Sequence, residues 1–281
     1  MTATEAAGAA ARLAGAAAGE VRQLGAAVWE VGPVVVKRHD EPGAVVAEVA
    51  SLAWLAEPAG PPEVPPAPPV PRVRGHDERW LALDHVPPGR PSPRAAEEFG
   101  RGLAALHACG APAFGAPPPG GPTRAAIGLA PLLNVPSDTW SEWFREHRIA
   151  HYTRLAVDAG ALTPAEARTV EAVRVEAPAE PPARLHGDLW SGNVHWAADG
   201  RAWLVDPAAH GGHRETDLAM LALFGCPHLD RVLAAYDETA PLADGWRERV
   251  PLHQLFPLLV HAALFGRGYA RQVLSAARSL R

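Results

Sequence analysis

LHGDLWSGNVHWAADGRAWLVDP, running from Leu185 to Pro207, is the stretch on which the reading of this chain turns. Asp199-Gly200 is a strong two-residue turn signal between NVHWAA and RAWLVD, so the segment reads as a β-hairpin centred on that pair. Such a turn sets opposite each other residues whose numbers sum to 399, which places Asn193 against Asp206 at the open end. Their Cβ atoms are then expected about 4.5–5.5 Å apart. Asp188 lies five residues before Asn193, on the loop entering the hairpin. Two carboxylates and an amide oxygen gathered in this way offer hard oxygen ligands, of the kind magnesium accepts while keeping waters and phosphates in its shell, together with a candidate general base. The structural alternative is that Asp188 and Asn193 form turns and Asp206 caps a strand.

Working outward, the chain holds 26 Lys and Arg residues, of which Lys37 is the only lysine. In an Arg-rich chain, a lone Lys suggests a position that needs a compact ammonium rather than a planar fork, with chance retention as the alternative. AAVWEVGPVVVKR (Ala26 to Arg38) has two β-favouring runs broken by Gly32-Pro33, so Lys37 closes the second strand of a hairpin. From Ala44 to Glu57, Val45, Val49, Leu52 and Ala56 recur at helical spacing, and Glu48 flanks their stripe, either as an ordinary boundary glutamate or with a function. Residues 58–71 hold eight prolines in fourteen positions and are expected to form an extended surface connection. Trp80 to Val86 reads as a strand running into the turn-rich PPGRPSP, which marks a boundary between a small β-containing lobe and a larger remainder. Beyond it, an Ala-rich helix over 95–108, a Pro/Gly loop over 111–122 and helices over 139–159 and 164–175 are expected.

Composition narrows the function classes. The 281 residues carry a net charge of −5, which argues against a nucleic-acid partner, and 48% hydrophobic with 20% charged residues suits a chain with a buried core. Cys109 and Cys226 stand far apart without CxxC spacing, so neither a disulfide framework nor a zinc site is indicated. The N-terminus lacks a basic region ahead of its alanines and the longest apolar run is too short to span a bilayer, so a cytoplasmic location without membrane contact is the expectation.

Asp188 followed by Asn193, with Asp206 beyond, reproduces the kinase catalytic-loop pattern, in which Asp takes the acceptor proton and Asn and a later Asp hold metal. More specifically, LHGDLWSGNVHW followed by LVDPAAHGGHRETDLAMLALFG (204–225) resembles the fructosamine kinase (ketosamine-3-kinase) family of the protein-kinase-like superfamily. LDHVPPGRPSP, GRGLAALHA and PLHQLFPLLVHAALFGRGYARQV extend the resemblance over most of the chain from Lys37 onward. It implies an α+β bilobal fold with a nucleotide-binding lobe over 1–84, a hinge over 85–90 and a mainly helical catalytic lobe over 91–281. It also implies ATP and Mg²⁺ as cofactors and a ketosamine, free or protein-bound, as acceptor. By the same resemblance Asp188 is the proton acceptor and Asn193 and Asp206 are the metal ligands. Lys37, paired with Glu48, binds phosphate; Asp84, His85 and Val86 supply backbone contacts to adenine. His186 braces the catalytic loop, Asp217 ties it down from beneath, and His210, His213 and Arg214 either face the sugar or serve structural hydrogen bonding. Two departures stand out: LGAAVWEVG in the phosphate-covering position has no GxGxxG, only Gly25 and Gly32, and the stretch after Phe114-Gly115 is proline-rich and lacks an expected Asn-Tyr segment. The alternatives are a kinase of the aminoglycoside or choline type and a catalytically silent nucleotide-binding module.

Overall fold

The strand that carries Lys37 shows how the smaller lobe is assembled. In the computed structural model, which describes residues 2–16, 19–61 and 63–280, β1 (Val21–Gly25), β2 (Val28–Val31), β3 (Val34–Arg38), β4 (Val73–His76) and β5 (Trp80–Asp84) form an antiparallel sheet in the order β1-β2-β3-β5-β4. Side chains alternate across a sheet. Val34, Val36 and Ala82 pack beneath α1 (Ala3–Ala14), whereas Leu81 and Leu83 pack on the other face with Val45 and Leu52 of α2 (Ala44–Leu55). Lys37 pairs with Leu81 in the ladder and therefore points to the α2 side, where Glu48 waits on the helix. The helix α1 begins with a capping box in which Thr2 Oγ1 accepts from Glu5 N–H at 3.4 Å and Glu5 Oε2 accepts from Thr2 N–H at 2.8 Å.

As the two β-favouring runs either side of Gly32-Pro33 predict, Val28–Val31 and Val34–Arg38 are paired strands, and the stretch in the phosphate-covering position consists of the end of β1, a tight turn and β2. Gly25 pairs with Val28, so only Ala26 and Ala27 remain for the β1–β2 turn, because the strand-forming VWEV run is drawn into the ladder. Gly32, at φ 57°, serves the β2–β3 turn at the opposite end of the strand.

The larger lobe opens with α3 (Pro93–Ala108), whose Ser92 cap accepts from Ala95 N–H at 3.2 Å. It lies against α8 (Leu229–Thr239) so closely that a Cβ on Gly100 would stand 2.2 Å from the Val232 carbonyl oxygen. The proline-rich segment is extended but is more than a surface connection: Pro69 O accepts from Leu204 N–H at 2.8 Å and Val70 packs into the core, because an extended proline chain leaves its carbonyls free to bind neighbours. After the 111–122 loop a short hairpin appears, β6 (Arg124–Ile127) and β7 (Ala130–Leu133). The helix expected over 139–159 is a continuous path of α4 (Trp140–Phe144), a π-helical turn over Arg145–Ala150 and α5 (His151–Asp158), and α6 (Pro164–Glu171) ends before Val175. Then follow β8 (Ala183–Leu185), β9 (Val194–Trp196), β10 (Ala202–Leu204), β11 (His210–Gly212), α7 (Glu215–Leu223), α8, α9 (Trp246–Phe265) and α10 (Ala270–Ser279). The result is an α+β bilobal architecture, with an antiparallel sheet lobe and a mainly helical lobe. Among the described residues no helix is long and apolar enough to cross a membrane.

Between the lobes, His85 N–H donates to Pro33 O at 2.9 Å, and Gly89 N–H donates to Trp196 O at 2.7 Å. His195 Nε2 reaches Val86 O at 2.9 Å, so the connection is stitched to the β9–β10 hairpin.

Candidate active site

The hairpin places its residues one position away from the expected register. Val194 pairs with Leu204 and Trp196 with Ala202, so opposed numbers sum to 398, and Asn193 O accepts from Val205 N–H at 3.1 Å. The loop uses three residues, with Gly200 at φ 81°, rather than the two that Asp199-Gly200 suggests. A one-residue slip in a regular ladder would send Asn193 and Asp206 to opposite faces. Asp206, however, leaves the extended conformation at φ 52°, so strand alternation no longer sets its direction, and both residues line one cavity with Asp188. Left-handed backbone is unusual for a residue other than glycine and is concentrated at functional sites.

The catalytic loop is held from below and from behind. Asp217 on α7 accepts from His186 N–H at 2.8 Å and from Gly187 N–H at 3.0 Å, and its Oδ2 lies 3.3 Å from His107 Nε2. Gly187 is at φ 83°, where a Cβ would also stand 2.1 Å from Ala208 O, so glycine alone fits. His186 donates from Nε2 to Val205 O at 3.0 Å and accepts at Nδ1 from Asp188 N–H at 3.3 Å. That pattern requires a neutral ring, in keeping with the way burial lowers its pKa. The loop is thus tied to the strand entering Asp206. Asp217→Asn would set an amide N–H₂ against backbone donors, and we expect a stability loss on the order of 2–3 kcal/mol in denaturant unfolding. Because the Asp217 carboxyl is held below its ordinary value by His107 and its backbone donors against the cost of burial, that contribution is present at neutral pH and lost as pH falls through the folded pKa. Equal unfolding curves for variant and parent would refute the tie.

Asn193 Nδ2 donates to Asp188 O at 2.8 Å and to Asp188 Oδ2 at 3.1 Å, which orients the carboxylate. Burial pushes the Asp188 carboxyl up to about 6, although the Asn193 hydrogen bond opposes the rise. Across the cavity, Lys37 Nζ lies 2.7 Å from Glu48 Oε1 and also pairs with Asp206 Oδ1. His39 Nε2 is 2.9 Å from Glu48 Oε2, so both carboxylate oxygens are held. Burial alone would raise the Glu48 carboxyl, but Lys37 and His39 outweigh it and bring it down to about 2.

These groups share a cavity of about 490 Å³ that is also lined by Trp190, Asn134, residues of the β6–β7 hairpin, Ala27 and Val28. Lys37, Glu48, Asp188, Asn193 and Asp206 all line it; Asp84, His85 and Val86 do not. His85 N–H and Val86 O are already engaged between the lobes, and the Asp84 carboxylate lies 3.2 Å from Arg74.

His210, His213 and Arg214 are not among the residues that line the cavity, and their contacts are those of structural hydrogen bonding. β11 pairs with β8 behind the catalytic loop, so His210 is buried with its Nδ1 2.9 Å from Ala208 O, and burial pulls its pKa down to about 3. Arg214 is spent on Glu180 through two 2.8 Å contacts, with further bonds to Ala240 O and Pro241 O. His213 forms a buried cluster with Glu215 and His253. A cation there would compete with Arg249, which grips both Glu215 oxygens at 2.9 and 2.6 Å.

Three further wall residues were not singled out from the sequence. His39 shares strand parity with Lys37 and could have been found from that spacing; Trp190 sits inside the quoted loop. Asn134 has no local signal at all.

The fructosamine kinase family model matches residues 12–280. A probable ketoamine kinase of Thermus thermophilus is 36% identical over 247 residues, covering 86% of this chain and 85% of that protein. A probable ketoamine kinase of Synechocystis is 35% identical over 200 residues, 70% of this chain and 65% of that protein, so the match spans just under two thirds of that relative's length. A Thermobifida fusca protein solved as a candidate fructosamine-3-kinase superposes with a TM-score of 0.86 at 45% identity, covering 100% of this chain and 99% of that one. An aminoglycoside phosphotransferase solved with streptomycin and ATP shares the fold at a TM-score of 0.61 and 14% identity, covering 93% of each chain.

Proposed function

The chain belongs to the fructosamine kinase family, and from that premise we propose that it transfers the terminal phosphoryl group of ATP to a sugar hydroxyl of a ketosamine, a deglycation repair activity. The observation that carries this reading is the convergence of Lys37, Glu48, Asp188, Asn193 and Asp206 on one cavity. The chloroplastic relative from Arabidopsis thaliana, 33% identical over 190 residues, is named a protein-ribulosamine 3-kinase, which supports a ketosamine acceptor here.

In this reading Asp188 accepts the proton of the attacking hydroxyl. Asn193 holds Oδ2 and leaves Oδ1 for that task. Lys37, steered by Glu48 and His39, contacts phosphate oxygens, and Val86 N–H, which has no partner among the described residues, is the donor left for adenine. The half-exposed Asp206 carboxylate and the Asn193 amide oxygen are hard donors that suit Mg²⁺. When bound, that ion would neutralise charge on the phosphoryl group in transfer. Positioning and electrostatics thus supply the catalysis.

An ATP-consumption panel over ribulosamines, fructosamines, aminoglycosides and choline, with the product phosphate located by NMR, tests the assignment. Turnover on aminoglycosides or choline alone would replace the acceptor, and ATP binding without any turnover would make the chain a silent nucleotide-binding module. Within the same assay Asp206→Asn is expected to weaken magnesium-ATP binding roughly tenfold or more as well as turnover, since it removes a charged ligand while keeping the shape. Unchanged calorimetric affinity for magnesium-ATP would exclude Asp206 as a metal ligand.

A further inference from the structure

One polar side chain on the cavity wall is left with nothing to bind. Asn134 directly follows β7, is 1% exposed, and has neither Oδ1 nor Nδ2 partnered among the described residues. Two other wall residues carry a buried unpaired atom, but Arg38 reaches Asp40 at 3.0 Å and His39 reaches Glu48 at 2.9 Å through ion pairs. Only the Asn134 side chain, among these wall residues, lacks a partner altogether.

Its place is imposed from behind. Asn134 N–H donates to Thr123 O at 2.8 Å, and the preceding carbonyl, Leu133 O, accepts from Arg148 Nη1 at 3.1 Å. Arg148 is fully buried on the π-helical turn with its guanidinium 4.3 Å from the Trp143 ring centre, so this anchor does not move freely. A buried amide with both ends unsatisfied is costly and rare in native folds. Here it stands on the wall of the cavity that also holds Asp188, where a ligand can supply both missing bonds.

We propose that Asn134 is the residue that reads the acceptor: Nδ2 donates to the keto oxygen of an open-chain ketosamine, and Oδ1 accepts from a neighbouring hydroxyl. This rests on the ketosamine reading above and specifies how that acceptor is recognised. A keto oxygen can only accept, and the hydroxyls along the sugar can donate. A primary amide presents a donor NH₂ and an acceptor oxygen at fixed spacing and so matches that pair. A site built to hydrogen-bond a substrate group rejects an analogue lacking it, because its own polar atoms are then left unpaired.

The experiment compares a ribulosamine with the analogue that carries a methylene in place of its keto carbonyl, in the parent and in Asn134→Leu, together with KM for ATP and the unfolding temperature. The parent is expected to prefer the ketosamine. Asn134→Leu should lower kcat/KM for it by roughly 10- to 100-fold, the worth of one buried hydrogen bond to substrate, and erase the preference. KM for ATP should stay at the parent value, and the unfolding temperature should equal or exceed the parent's, since an unsatisfied amide has been replaced by an apolar group. If Asn134→Leu does not fold, Asn134→Ala provides the same kcat/KM comparison. A variant that keeps the parent's kcat/KM and preference overturns the inference, as does one that unfolds earlier and loses ATP and acceptor affinity together, as a structural amide would. A parent inactive on every ketosamine would instead bring down the functional reading itself, which separates the two failures.

Discussion

Asp188→Asn is expected to lower turnover by about 10²- to 10⁴-fold, the usual contribution of a positioned general base, while leaving magnesium-ATP binding largely intact and making the protein more stable. The two effects share one cause. Burial raises the Asp188 carboxyl to about 6, so at neutral pH the folded protein holds a carboxylate in surroundings that disfavour its charge. A carboxyl whose folded pKa lies above its unfolded value of about 3.9 destabilises the fold once it ionises. The penalty is absent below about pH 4, grows between 4 and 6, and is complete above 6, where two pKa units correspond to on the order of 1–3 kcal/mol. The neutral amide of the Asp188→Asn variant would be free of it. Thermal unfolding at pH 8 and pH 4 should therefore show a gain for the variant at the higher pH that fades at the lower, alongside calorimetry with magnesium-ATP and a ribulosamine assay. Parent-like ketosamine phosphorylation by Asp188→Asn would end the mechanism proposed for this site.

Lys37→Arg is the second large effect: turnover should fall by about 10²- to 10³-fold, the cost of losing one pre-positioned electrostatic contact. Lys37 is 8% exposed, its Nζ lies between Glu48 and Asp206, and the space around it is shaped by α2 and the catalytic lobe. A guanidinium keeps the charge but carries it on a broad planar fork, which cannot repeat a point contact to both Glu48 and a phosphate oxygen. The fold should survive, because Glu48 retains His39 at 2.9 Å and the strand keeps its ladder to β5. Circular dichroism and the unfolding temperature check that survival, and near-native turnover would show that the lysine does not serve the nucleotide.

Much of the site was legible beforehand because its parts are local. HGDLWSGN carries Asp188 and Asn193 on one short loop, and the lone lysine and Glu48 are placed by the period of a strand and of a helix. The small antiparallel lobe, the helical lobe and the loop-bracing geometry of His186 and Asp217 follow the same pattern. What was misread depended on distances between elements. The β9–β10 turn uses one residue more than its Asp-Gly pair suggests, because ladder pairing competes with local turn preference.

The order of residues dictates which chemical groups this protein has and, through periods of 2 and 3.6, which face of its element each one takes. Which of those faces meet is settled by packing. It turned Asp206 toward the cavity through a left-handed backbone, buried His210 and His213, tied Arg214 to Glu180, and set Asn134, about fifty residues from the catalytic loop, on the cavity wall with its amide unpaired among the described residues. The reason is physical: side-chain periodicity is a property of a single strand or helix, whereas register, burial and hydrogen-bond satisfaction depend on what packs against it.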